Sequence, residues 1–568
     1  MIETIKETIA KRLGDSDFEV KIENSPERGH FSTNAAFILA EKEGIRPKDA
    51  AEDLRSFLHK HDEEKLFDRI ELAGGGFINI WLSVEAAKGE LRRIIKAGSN
   101  WGRIKKKNKD RETVIVEYSA PNIAKPMHVG HLRSTIIGDA IANIFAFLGY
   151  NVVRWNYLGD WGTQFGKLIA AYKKWGRRRE VAKNPVEKLE ELYIRFHKEL
   201  KDNPALEDEG REEFKKLENG DKKNRKLWRW FRKESLKEFN RIYNRLGVTF
   251  STQIGEAFYE KDLSGVINFL KEKGIAKESE GALIIELERF DLPPAMVRKS
   301  DGATLYFTRE IANLKYRIEE YNPKRILYVV ANEQTLHFSQ LFAVAKMMDF
   351  AKGKNMPELA HVKFGLVRGE AGKKLSTREG TAIKLNELLD RSVKLSKEAL
   401  ASRKVELKKS EAKEVSEILG VGAVKYNDLS QNRMSDIIFD WDKMLSFEGN
   451  SAPYLQYTYA RLKSILRKAK SVPKLNKIIL ENERDVFLVL KLSEFPEVLE
   501  RVKETYMPSQ LASYLYELAK EVNSYYHSEP VLYSESELRA VRLNIVKAAS
   551  DVLKSGLGLL GIGTVEKM

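Results

Sequence analysis

The 568-residue chain contains no cysteine. Disulfides, thiolate zinc sites and thiol nucleophiles are therefore excluded. No apolar run approaches the roughly 20 residues of a transmembrane helix. The opening Met1-Ile2-Glu3-Thr4-Ile5 lacks a signal-peptide pattern, so a cytoplasmic protein without membrane contact is expected. There is no internal repeat and no long low-complexity tract. The length instead suits roughly three to five globular domains, each with its own core.

What the chain does have is positive charge. Its formal net charge is +15 and its pI is near 9.3. A polyanionic partner is implied, though net charge alone does not separate nucleic acid from a membrane surface. Charged residues make up 32% of the chain, which with the missing cysteine suits a heat-adapted protein.

The patterning divides the chain into six segments. Residues 1–104 read as a small α+β domain, with a helix over Ile5 to Leu13, strands at Glu19 to Ile22 and Phe77 to Leu82, and a helix at Ala35 to Ala40. The basic linker Lys105 to Lys109 closes it. Residues 105–185 contain strands at Val114 to Val116 and Val152 to Trp155 around a helix, a right-handed βαβ unit. Residues 186–295 read as an inserted, largely helical region, dense in charge from Glu187 to Leu246. It is either a working insertion or a solvated hairpin without a direct role. Residues 296–350 resume the core, with a strand at Ala303 to Tyr306, a helix from Thr308 to Glu320 and a strand at Arg325 to Val330. The fold class expected is a Rossmann-like, doubly wound parallel α/β core. Residues 351–405 follow as a basic loop and a contact region that turns helical after Leu385, and 406–568 as an all-α domain. There Met507-Pro508 opens a helix whose Leu511, Leu515, Leu518 and Val522 share one face.

The chemistry concentrates at Ser119 to His131. An apolar strand, a turn with His128, Gly130 and His131, and a helix opening at Leu132 together make an anion site. The helix N-terminus offers unpaired N–H groups and partial positive charge, Gly130 admits a close backbone approach, and both imidazoles can reach one bound group. Downstream, Lys373-Lys374-Leu375-Ser376-Thr377 supplies a basic loop.

These segments resemble the two signatures of class I aminoacyl-tRNA synthetases, and their flanks are similar to arginyl-tRNA synthetases over essentially the whole chain. The resemblance implies ATP, as its Mg²⁺ complex, held by His128, Gly130, His131, Lys374 and Ser376. Thr377 stands where the second lysine of the family loop is usual. Lys125 would supply that charge, so the catalytic set implied is His128, His131, Lys125 and Lys374. No structural metal is expected.

For L-arginine the resemblance implies Glu117, Ser119, Asn122, His131, Tyr306, Glu310 and Gln334. Carboxylates suit a guanidinium because it is planar, always charged and donates through a fixed fork. The family usually has Asp where this chain has Glu310, so that carboxylate reaches one methylene further. The reading of Glu117 as an ordinary salt bridge stays open. The glycine-rich run Gly159 to Gly166 suits either packing or a ligand. For tRNA(Arg) the resemblance implies that Phe77 and Asn79 of the small domain meet the D-loop corner and that 351–405 includes a stem-contact region. It also implies that the helical domain binds the anticodon through Tyr454, Tyr457 and Arg461, with Lys463, Arg467 and Lys468 next, and through Tyr533 and Met568. A ring beside an amide suits an unstacked base, and a Tyr/Arg face suits flipped bases and phosphates. Plain core packing is the competing reading for both groups. The implied protein is a monomeric enzyme that activates arginine with ATP and transfers it to the 3′-terminal adenosine of tRNA. A class I synthetase for another amino acid and a non-catalytic tRNA-binding paralogue are the competing readings.

Overall fold

The computed structural model describes the chain except residues 1, 15–17, 19, 23–28, 63–64, 349–355, 369–383, 404–406 and 439. Lys374 and Ser376 lie outside the described residues.

The first domain is an antiparallel sheet in the order β1 (Val20–Ile22), β2 (Phe31–Thr33), β4 (Phe77–Leu82), β3 (Phe67–Ala73), backed by the helices Ile2–Leu13, Ala35–Glu43 and Pro47–Lys60. Its core of Ile5, Ile9, Leu39, Leu54, Ile78 and Ile80 also takes in Val486 and Leu490 from the other end of the chain. The small domain is thus packed onto the C-terminal helices by shared apolar burial.

The central sheet has five parallel strands in the order β12, β11, β5, β6, β7: β5 is Thr113–Glu117, β6 Asn151–Leu158, β7 Thr252–Gly255, β11 Arg325–Tyr328 and β12 Glu358–His361. From β5 the chain runs outward through β6 and β7, then returns to β11 on the opposite side. The strand order therefore reverses between β5 and β11, and a crevice opens beyond their carboxyl ends. Glu117 and Tyr328, the last residues of the two strands, stand in register across that reversal. Val114 and Val116 face one core with the Val129–Phe147 helix, and Ile115 faces another with the Tyr306–Tyr321 helix. A small antiparallel sheet, β8 (Lys277–Ser279), β9 (Ala282–Ile285) and β10 (Ala295–Arg298), is attached to the side.

The structure departs from the sequence-based expectation at three places. Ala303 to Tyr306 is not a strand: Gly302 turns the chain at φ +85°, Thr304 makes one isolated bridge to Arg298, and the helix begins at Tyr306. Within the segment read as a helical insertion, β7 belongs to the central sheet and β8 to β10 form the side sheet. Within segment 351–405, for which the patterning gives no strand, β12 is the outer strand. Both β7 (Thr-Gln-Ile-Gly) and β12 (Glu-Leu-Ala-His) are short edge strands with mixed faces, so neither carries the apolar run of a buried parallel strand. Only pairing with β6 and β11 identifies them.

The C-terminal part is helical, as expected. Its Pro508–Ser528 helix buries Leu511, Leu515, Leu518 and Val522. A two-stranded parallel pair, β13 (Val367–Arg368) with β14 (Ile437–Ile438), ties the core to the Lys409–Leu429 helix region.

Candidate active site

The loop after β5 is held in an unusual backbone. Ser119, Ala120 and Ala124 all have positive φ, at 75°, 46° and 60°. Non-glycine residues adopt such angles only where the surroundings enforce them. The enforcing contacts are side chains from three elements. Ser134 Oγ accepts from Ser119 N at 2.9 Å, Asn156 Oδ1 accepts from Ala120 N at 3.2 Å, and Ser235 Oγ accepts from Ala124 N at 2.8 Å. Ser235 belongs to the inserted Lys222–Leu246 helix, so the insertion helps shape this loop.

The loop delivers the chain into the Val129–Phe147 helix with His128 as its N-cap. His128 Nδ1 accepts from Gly130 N at 3.1 Å, and His131 Nδ1 accepts from His128 N at 3.1 Å. A Cβ on Gly130 would lie 2.8 Å from His128 Cε1, so the folded-back ring requires glycine there. Burial lowers His128 to about 4 and His131 to about 3, with the nearby Lys125 charge acting in the same direction. Both rings are neutral at pH 7. Because each Nδ1 is an acceptor, the ring proton sits on Nε2. The turn thus presents two neutral N–H donors at a helix N-terminus. They line a cavity of about 280 Å³ with Gly130, Arg133, Glu333 and Phe364. Lys125 is exposed, its Nζ 4.9 Å from the Tyr193 ring centre.

A second, larger cleft of about 1140 Å³ opens at the strand ends. Four residues expected to hold arginine line it: Glu117, Asn122, Tyr306 and Gln334. Asn122 and Gln334 are exposed. A Cβ at Gly159 would come within 2.0 Å of Asn122 Oδ1, so that glycine accommodates the asparagine. Gly166 has a packing role, its backbone pressed on the Gly210 carbonyl of the insertion.

Three of the expected residues are not in the cleft lining. Ser119 is buried below it, its Oγ 2.8 Å from the Tyr243 hydroxyl and 2.9 Å from Thr135 Oγ1. His131 faces the smaller cavity. Glu310 is fully buried, and burial together with Glu117 pushes its carboxyl up to about 8. Glu117 is ion-paired with Arg317.

Sequence reasoning missed several groups at this cleft. Glu256 and Glu260 line it, and burial raises Glu256 to about 8. Glu260 accepts from Arg309. His337 lines it too, lowered to about 4 by burial. Glu256 follows β7, so recognising that strand would have placed it at a sheet end. Arg317 lies seven residues past Glu310 on a helix that the periodicity does predict, and that spacing was the available signal.

Of the RNA candidates, Phe77 is 48% exposed and meets Phe37 edge-on. Asn79, half-buried, sits opposite Ser32 and Glu71 in the sheet. In the Ala452–Lys468 helix, Arg461 lies 5.6 Å from the Tyr457 ring centre and donates to Asn523 at 3.1 Å, and Asn523 donates to the Tyr454 hydroxyl at 3.1 Å. Tyr533 is 90% exposed. Met568 packs on Leu400, Val415 and Leu419. The structure brings Tyr454, Tyr457 and Arg461 together and leaves Phe77 and Asn79 in the other terminal domain.

Residues 93–441 match a family model described as tRNA synthetases class I (R), catalytic domain; 455–568 match the DALR anticodon binding domain; and 1–82 match the arginyl tRNA synthetase N-terminal domain. Arginine–tRNA ligases from Halothermothrix orenii and Fusobacterium nucleatum are 41% and 42% identical to this chain, over 100% and 97% of it and 99% and 95% of their own lengths. The crystal structure of arginyl-tRNA synthetase from Plasmodium falciparum is similar at a TM-score of 0.82 and 30% identity, covering 100% of this chain and 98% of that one. The Thermus thermophilus arginyl-tRNA synthetase shares the fold at a TM-score of 0.83 and 23% identity, covering 100% of both chains.

Proposed function

The chain belongs to the arginyl-tRNA synthetase family of class I enzymes, and from that premise we propose roles for its two cavities. The activity is ATP-dependent activation of L-arginine and its transfer to tRNA. The acidic cleft at the ends of β5 and β11 takes the amino acid. Glu117 and the buried Glu310 supply negative charge for the guanidinium, Tyr306 and Gln334 frame its side chain, and Asn122 and the Ser119 backbone region lie toward its amino and carboxylate groups. The smaller cavity takes ATP, which arrives as its magnesium complex.

The two neutral histidines donate through Nε2 to phosphate oxygens, beside the N–H groups of the helix end. Neutrality matters because a neutral imidazole N–H donates to developing charge without releasing its proton near pH 7, as an imidazolium would. Lys125 adds cationic charge toward the departing pyrophosphate, and Lys374 and Ser376 take the ATP-binding roles that the family resemblance implies for them. An arginine carboxylate oxygen attacks the α-phosphorus, the bond to the β,γ-pyrophosphate breaks, and arginyl-adenylate forms. The 2′-hydroxyl of the terminal adenosine then attacks the adenylate carbonyl, and AMP leaves. Alignment and charge stabilisation carry both steps, and no side-chain nucleophile is required. Phe77, Asn79, Tyr454, Tyr457, Arg461, Tyr533 and Met568 contact the tRNA. The working unit is a cytoplasmic monomer.

The observation that carries this reading is the pairing, at the carboxyl ends of the central strands, of an acidic cleft with a neutral two-histidine helix cap. The test is arginine-dependent ATP–pyrophosphate exchange with tRNA present. Glu117→Gln should raise the KM for arginine and His131→Asn should lower kcat. Exchange that ignores both substitutions would refute the assignment.

A further inference from the structure

Arg317 has no role in the scheme above, yet it is completely buried beneath the cleft. The Tyr306–Tyr321 helix carries Glu310, Asn313 and Arg317 on one face, and all three are fully buried. Its guanidinium pairs with Glu117 at the end of β5. The guanidinium carbon lies 4.4 Å from the Trp155 ring centre, 5.4 Å from that of Tyr328 and 6.0 Å from that of Tyr157. An aromatic box of this kind holds a cation in place.

The box leaves polar atoms unsatisfied. Among the described residues, Arg317 Nε and Nη1 meet no acceptor in hydrogen-bond geometry and the Glu310 oxygens meet no donor in it, although the Tyr306 and Asn313 side chains lie close enough to act on that carboxyl. Buried groups without partners are uncommon and call for an explanation. Charge balance supplies one. The Arg317–Glu117 ion pair is neutral overall, and Glu310 sits beside it as a carboxyl that burial and Glu117 keep protonated near neutral pH. A guanidinium arriving in the cleft adds one positive charge. Ionisation of Glu310 then restores neutrality and turns both of its oxygens into acceptors.

We propose that Arg317 is a specificity-determining positioning residue: a built-in guanidinium that pairs with Glu117 and thereby sets the protonation of Glu310, the carboxyl whose ionisation balances the substrate's guanidinium. The inference rests on the cleft being the amino-acid subsite. Binding then exchanges one proton for one monocation. The groups facing Glu310 are Glu117 from β5, Tyr157 from β6, Glu256 and Tyr259 from the turn after β7, Tyr306 and Arg317 from its own helix, and Tyr328 from β11.

The experiment measures the KM for arginine in pyrophosphate exchange, at saturating ATP and tRNA, from pH 6 to 9.5. In the parent enzyme it should fall about tenfold per pH unit up to a break near pH 8, then level off, as one-proton exchange requires. Arg317→Met should move the break upward by about a unit, because two uncompensated carboxylates share a proton. Arg317→Lys keeps the charge and should keep the break, with a KM several-fold higher. Glu117→Gln should move the break downward, since Arg317 then faces Glu310 alone. The KM for ATP should change less than about threefold throughout.

A folded Arg317→Met enzyme with the parent's break overturns the proposal. If that variant does not fold, Glu117→Gln decides, and an unmoved break there overturns it equally. Tyr306→Ala and Gln334→Ala separate the two levels of inference. If they raise the KM for arginine while the break never moves, only the role of Arg317 falls. If neither raises it, the cleft is not the amino-acid site.

Discussion

Arg133 Nε lies 3.0 Å from Asp428 Oδ2, and neither side chain is more than 1% exposed. Arg133 follows His131 by two residues on the active-site helix, whereas Asp428 closes the Lys409–Leu429 helix almost 300 residues later. The remaining guanidinium donors reach the carbonyls of Ser435 at 2.8 Å and Arg433 at 3.3 Å. One arginine thus fixes the histidine turn to the start of the C-terminal helices. Removing one partner of a buried ion pair strands the other charge, at a cost of about 3–5 kcal/mol, whereas replacing both with apolar groups costs much less. Asp428→Ala should lose stability on that scale in urea unfolding, and an Arg133→Met, Asp428→Leu double variant should recover most of it. A single-variant loss under about 1 kcal/mol would mean that the pair contributes little.

The two histidines each combine a structural and a chemical task that substitution can divide. Asparagine reproduces the position of Nδ1 and glutamine that of Nε2. His128→Asn should keep the helix cap but lose the donor, so its kcat should drop about 10²–10³-fold with little change in stability. His128→Gln should retain more activity while losing about 1 kcal/mol of cap energy. Parallel kinetics and unfolding on the two variants check this. The reverse order of activities would place the working proton on Nδ1.

Stability should peak near neutral pH. His30, His128, His337 and His361 are lowered to about 4 and His131 to about 3, all chiefly by burial, against an ordinary value of 6.5. Below pH 6.5 the unfolded chain binds protons that the native state refuses, so stability falls as the pH drops. Glu256 and Glu310, raised to about 8, work in the opposite sense. The native state holds their protons and the unfolded chain does not, so stability falls as the pH rises toward 8. Asp428, raised to about 6, partly offsets the histidines on the acid side. Urea unfolding of the ligand-free protein between pH 5 and 8.5 should show an apex at roughly pH 6.5. A steady rise to pH 8.5 would contradict the buried-carboxyl account.

The aromatic face of the C-terminal helices should act on tRNA alone. Stacking of a base on an aromatic ring is worth about 1–3 kcal/mol, so Tyr457→Ala and Tyr533→Ala should each raise the KM for tRNA about 5- to 150-fold. Arginine-dependent exchange at saturating tRNA should stay the same. An unchanged KM for tRNA in both variants would return these tyrosines to a packing role.

Much of the site was legible locally. The strand, the two-histidine turn and the helix are contiguous, so an anion cradle could be read from residues 114 to 139 alone. Apolar periodicity likewise marked Leu511, Leu515, Leu518 and Val522 as one buried face. The edge strands β7 and β12 were not legible, because a short strand with mixed faces carries no periodic signal until a neighbour pairs with it. Glu256 went unnoticed for that reason. Glu310 was found by resemblance, but its complete burial and its place beside the Arg317–Glu117 pair were not.

The sequence by itself determined which groups are available: a glycine where an imidazole folds back, acceptors for a forked cation, cationic charge for polyphosphate and RNA, and no thiol. Tertiary structure decided which of those groups are charged and what each one faces. Protonation depends on burial and on partners far along the chain, such as Arg133 for Asp428, 295 residues away. Neither burial nor such pairing is encoded in the spacing of neighbours along the chain.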